Sequence, residues 1–110
     1  MTFLSKTTSE RYHEAAVEWA DADAAASLLE ETKSAVLSDM VTEMLSKNIS
    51  MAVNRAEALV KSSSRWRAFV TEMVELRRKA NMAKVEMEYI RMRHSEEMSQ
   101  EATHRAASRI

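Results

Sequence analysis

Not one glycine or proline occurs in the 110 residues of this chain. Glycine supplies positive φ at little cost, and proline ends helices by removing a donor and clashing with the preceding turn. Without them, tight hairpin turns, β-bulges and sharp helix stops lose their usual residues, and strand-rich folds become improbable. The remaining composition is dominated by Ala, Glu, Met, Arg, Ser, Leu and Lys, mostly strong helix formers, and aromatic residues are only 5%. An all-α fold is therefore expected.

Apolar residues recur at alternating four- and three-residue steps in two long segments. In the first, a helix predicted over 8–47, the seam runs through Ala15, Trp19, Ala22, Ala26, Leu29, Lys33, Val36 and Met40, with one polar interruption at Lys33. Leu37, Val41, Met44 and Leu45 widen it. Thr8 or Ser9 is the expected N-cap, with Glu10 and Glu14 near the positive end of the helix dipole. The second long helix, predicted over 65–109, carries Trp66, Phe69, Met73, Leu76, Ala80, Ala83, Met87, Ile90 and His94 in the same rhythm. Between them Lys47-Asn48-Ile49-Ser50 and Ser62-Ser63-Ser64 read as breaks. Asn48 is the best left-handed residue available and Ser50 a cap, leaving a short connector helix over 51–61.

These elements imply a single helical domain over 1–110, a long coiled-coil-like antiparallel hairpin with a short connector helix. Folding back places Val36, Met40 and Met44 beside Trp66, Phe69 and Met73. Trp19 then lies near Met87 and Ile90, and Ala22, Ala25 and Ala26 beside Ala80 and Ala83. Trp19, Met40, Trp66, Phe69, Met73, Leu76, Met87 and Ile90 are the expected core or interface anchors. A helix of forty residues is about 60 Å long at 1.5 Å per residue. Two such helices leave Leu28, Leu37, Val41, Val70 and Val74 on the seam flanks. Met82, Met92 and Met98 are read as lying off the seam, where they could meet a partner. A homo-oligomer is the expected remedy, a four-helix-bundle dimer or larger.

Net charge is −1, but residues 1–60 hold five Lys and Arg against ten Asp and Glu, and residues 61–110 eleven against seven. The halves complement each other, which favours packing between them over one large basic face. The basic concentration of Arg77, Arg78, Lys79 and Lys84 is the candidate nucleic-acid contact, with Trp66 between Arg65 and Arg67 as a conceivable stacking platform. Against this, Trp66 is in phase with the seam and the cations are interleaved with Glu72, Glu75, Glu86 and Glu88. Two Glu-x-x-His pairs, Glu10 with His13 and Glu101 with His104, have the spacing used by di-metal carboxylate bundles, and Glu14, Glu96 or Glu97 could complete a set. Their polar surroundings near helix ends fit ordinary surface residues better. His94 is expected to be partly buried and bonded to Glu14 or Glu18.

The chain has no cysteine, which excludes disulfides, thiol nucleophiles and thiolate metal sites. No glycine-rich phosphate loop and no activated nucleophile can be assembled, so neither an enzyme nor a cofactor is expected. Residues 1–6 lack the features of a secretory signal and no apolar run is long enough to span a membrane, so a cytoplasmic location is expected.

The stretches Trp66-Arg67, Met73-Val74-Glu75, Arg77 to Val85, Arg91-Met92-Arg93 and Glu101 to Ala106 resemble a family of small helical phage and prophage proteins. Asp21 to Ala25 and Glu30 to Ser34 fit as well, so the likeness spans most of the chain. Members are encoded among recombination and replication genes, and the resemblance implies that setting and no catalytic residue. The leading reading is a non-enzymatic structural or adaptor protein, an oligomer serving phage recombination or replication partners. The alternatives are a nucleic-acid-binding accessory protein and a di-metal four-helix bundle.

Overall fold

The computed structural model of the chain describes residues 6–109. Three α-helices follow one another: α1, Thr8–Lys47; α2, Val53–Lys61; and α3, Ser64–Ser108. They account for 90% of it, and there is no strand among the described residues. The all-α class and the pattern of two long helices and a short connector follow the heptad reading. The helix limits match within two residues, the uncertainty inherent in fraying ends.

The chemistry of the helix ends departs from expectation. The cap of α1 is Thr7, whose Oγ1 accepts the Glu10 N–H at 3.1 Å while Glu10 Oε2 accepts the Thr7 N–H at 3.0 Å. This is a reciprocal capping box, with Thr8 already inside the helix. Asn48 does not adopt the left-handed conformation, for no described residue has positive φ. It ends α1 by its side chain, Nδ2 donating to the Met44 carbonyl at 3.2 Å while its own N–H turns to Leu45. Nor does Ser50 cap α2. That place belongs to Ala52, extended at φ −69° and ψ 144°, with no side-chain cap bond.

The serine run acts as its chemistry implies. Ser62 Oγ donates to the Leu59 carbonyl at 3.0 Å and Ser63 Oγ to the Val60 carbonyl at 2.5 Å, closing α2. Ser63 Oγ also accepts the Trp66 N–H at 3.2 Å, which caps the start of α3. One hydroxyl thus ends one helix and opens the next.

The chain divides into two compact units, Met1–Ala22 with Lys79–Ile110, and Asp23–Arg78. The division falls between Ala22 and Asp23 in α1 and between Arg78 and Lys79 in α3. In the second unit Arg65 is bonded to Glu43 and Arg77 to Glu30 and Asp23, so advancing along α3 means retreating along α1. Within the first unit Lys84 lies over Trp19 and Glu97 meets Thr8. The two long helices are antiparallel in each.

Burial is thin. Ala15 and Ala80 are buried in the first unit, and Ala26, Ala56, Val60 and Trp66 in the second. Of the eight expected anchors only Trp66 is buried. It stacks on Phe69 with ring centroids 5.5 Å apart. Trp19, Met40, Phe69, Met73, Leu76, Met87 and Ile90 are half-buried. The seam of α1 bypasses Lys33, which is exposed, and passes through half-buried Thr32, whose hydroxyl returns to the Leu28 carbonyl at 2.7 Å. Bonding its own backbone lets a hydroxyl occupy a place a lysine cannot leave dry. Ala25 is exposed as well, one step off the stripe that Ala22 and Ala26 define. The short α2 contributes Ala56 and Val60, two of the six buried among the described residues, which gives the connector a packing role.

Replacing Ser63 by alanine should lower stability by about 1 kcal/mol, the usual cost of an N-cap, because both its bonds are lost. Urea unfolding checks this, with Ser64→Ala expected to be close to neutral.

Candidate interaction surface

The cation most deeply placed on α3 is Arg77. Its guanidinium forms a fork with Glu30, Nε to Oε2 at 2.9 Å and Nη2 to Oε1 at 2.6 Å. Its Nη1 donates to Asp23 Oδ1 at 2.7 Å, and Nη2 reaches Ser27 Oγ at 3.3 Å. Asp23, Ser27 and Glu30 lie at successive four- and three-residue steps of α1, so one helix face presents all three acceptors to a planar donor. The Arg77 hydrogen bond holds the Glu30 carboxyl below its ordinary 4.5, against a smaller opposing effect of burial. The two acidic partners raise Arg77 above its already high value. Arg65 does the same for Glu43, bonding Oε2 at 2.8 Å and holding that carboxyl low, with help from Lys47.

The four candidate nucleic-acid contacts therefore do not form one free basic patch. Arg77 is engaged by α1, and the Lys84 ammonium stands 5.8 Å from the centre of the Trp19 ring, within cation–π range. Arg78 and Lys79 are exposed. Trp66 is buried and stacked, so it offers no face to a base. The metal reading finds no geometry either. Glu10, His13, Glu101 and His104 are all exposed, and among the described residues no three His, Asp or Glu side chains gather closely enough to hold a metal ion. His94 is exposed instead of partly buried beside Glu14 or Glu18.

The surface that does stand out is apolar. Met82, Val85, Tyr89 and Met92 follow one another on α3 at steps of three, four and three residues, each more than half exposed. The steps are those of a second heptad stripe, on the face turned away from the seam that carries Ala80, Ala83, Met87 and Ile90. Met82 and Met92 are already set apart by the sequence; Val85 and Tyr89 are not, although the same spacing test applied to the outer face would have found them. Met98 belongs elsewhere, for it follows His94 by four residues on the continuation of the seam. Of the expected flank residues, Leu28 and Val74 are exposed, and Leu37, Val41 and Val70 half-buried. A groove of about 220 Å³ lies at the connector, floored by Met40, Met44 and Val60 and rimmed by Glu43, Lys47 and Arg65. Beside it Ile49 is 96% exposed.

Such surfaces have the composition of helix-docking faces, with aromatic and methionine side chains bordered by charge. No helix among the described residues is long and apolar enough to cross a membrane. In comparison with known proteins, no family model, curated protein or solved structure matches the chain.

The bonds from Arg77 and Arg65 tie stability to pH. Because Glu30 and Glu43 sit below their ordinary 4.5 when folded, their contribution is complete above that value. It is lost as pH falls through their lower folded values. Stability should decline on acidification from about pH 5 downward, and Arg77→Met should flatten the decline as well as lowering stability at pH 7. Denaturant midpoints of both proteins at pH 7 and pH 3 measure this.

Proposed function

We propose that this chain is a non-enzymatic helical assembly and adaptor protein, acting in the cytoplasm by covering its exposed helix faces with other helices. The observation that carries this reading is the row Met82, Val85, Tyr89 and Met92, apolar, regularly spaced and exposed. Moving a half-exposed side chain of this size to a dry interface contributes roughly 1 kcal/mol, so four of them make a useful though modest contact. Seven half-buried anchors point the same way, since a second hairpin forming a four-helix bundle would complete their burial. The proposed first partner is another copy of the chain.

The setting we propose is that of phage or prophage recombination and replication. Its support is the likeness of the segments around Trp66, Arg77 to Val85 and Glu101 to Ala106 to small helical proteins encoded there. The adaptor reading itself rests on the surface and holds independently of that setting.

Sedimentation equilibrium tests it. Wild type should show an average mass above the 12.5 kDa of one chain at tens of micromolar or below. Val85→Glu with Tyr89→Glu should weaken association at least tenfold while circular dichroism stays helical. A monodisperse monomer across that range ends the proposal.

A further inference from the structure

α1 begins at Thr8, and Thr8 Oγ1 donates to Glu97 Oε2 at 2.8 Å. From there α3 continues to Ser108, and every residue of 91–109 is exposed. A single helical segment of that length is marginal in water unless another surface packs on it.

The charges along it are ordered. Glu97, Glu101 and Arg105 stand four residues apart on one ridge of α3, and Arg109 follows four residues later in the turn that ends it, so two acids are followed by two bases. Glu96 adds a further charge to the acidic half. Read backwards with signs inverted, the row is the same row. A second copy running antiparallel, centred near residue 103, therefore sets Glu97 against Arg109, Glu101 against Arg105, and both pairs again by symmetry. A parallel copy in register would set acid on acid and base on base. The row is bordered by Met98, Ala102 and Ala106, also four residues apart, and small side chains permit close approach. Thr8 occupies one oxygen of Glu97, and a carboxylate has room for further donors.

We infer that residues 97–109, the end of α3 and the turn that closes it, are a self-recognition site, at which two copies of this chain join antiparallel through matched acidic and basic half-rows. This rests on the assembly reading and supplies one of its contacts, separate from the apolar row. Exposed ion pairs add little each and weaken with salt, so the contact sets orientation and partner more than raw affinity.

Sedimentation of the full chain at low and high salt tests it by charge exchange. E97R/E101R makes the row wholly basic and R105E/R109E wholly acidic. Each should raise the dissociation constant roughly tenfold, because four modest attractions become repulsions. Mixing the two variants should restore association, and so should the fourfold inversion E97R/E101R/R105E/R109E, whose row is again self-complementary. Circular dichroism verifies that each variant is helical, and the restored pairs exclude a folding defect. If the doubles associate like wild type, or if mixing and inversion restore nothing, the site is wrong. If they do so while V85E/Y89E still dissociates the protein, the assembly reading survives without it. A wild type that never associates removes both.

Discussion

A chain that cannot make positive φ cheaply must turn with side chains. The ends of its helices fall where a hydroxyl or an amide takes over a backbone group. Threonine and glutamate open α1, asparagine closes it, Ser62 and Ser63 close α2, and Ser63 also starts α3. Between those points nothing interrupts the helices, and they run for 40 and 45 residues. Once helices of that length are fixed, burial has to be arranged along narrow stripes.

The stripes themselves are visible in the sequence because heptad spacing is geometry. Ala15, Ala26, Trp66 and Ala80 all lie on the predicted seams, and the helix limits follow from the break residues. The details that were not visible depend on which of several equivalent polar groups wins a local competition. Thr7 outdoes Thr8 and Ser9 because it alone stands three residues before Glu10. Asn48 uses its amide instead of its tolerance for left-handed backbone. Thr32 takes a place on the seam that the heptad count gives to Lys33, since it can satisfy its hydroxyl within the helix. His94 shows a different limit: phase continues past Ile90, but phase alone does not create an opposing surface.

The candidate sites divide in the same way. The basic cluster is plain in the sequence, yet only the fold shows that α1 presents Asp23, Ser27 and Glu30 to Arg77 and an indole ring to Lys84. Cations that look available to a polyanion are thereby turned to joining α1 and α3. The outer row of α3 is the converse case, a periodic signal hidden by a stronger one on the same helix. Complementary charge between the halves of the chain serves internal pairing along Arg65, Arg77 and their acids, and the charge order near the end of α3 is left to act outward.

The two tryptophans fall one to each compact unit, and their surroundings differ. Trp66 is buried and stacked on Phe69, whereas Trp19 is half-buried beneath an ammonium group. Each indole therefore senses its own polarity and its own quencher access. The molecule carries two built-in fluorophores in different surroundings, one per unit. Opening of either half is thus open to optical observation without a label, in a protein whose lack of glycine, proline and cysteine leaves few other natural handles.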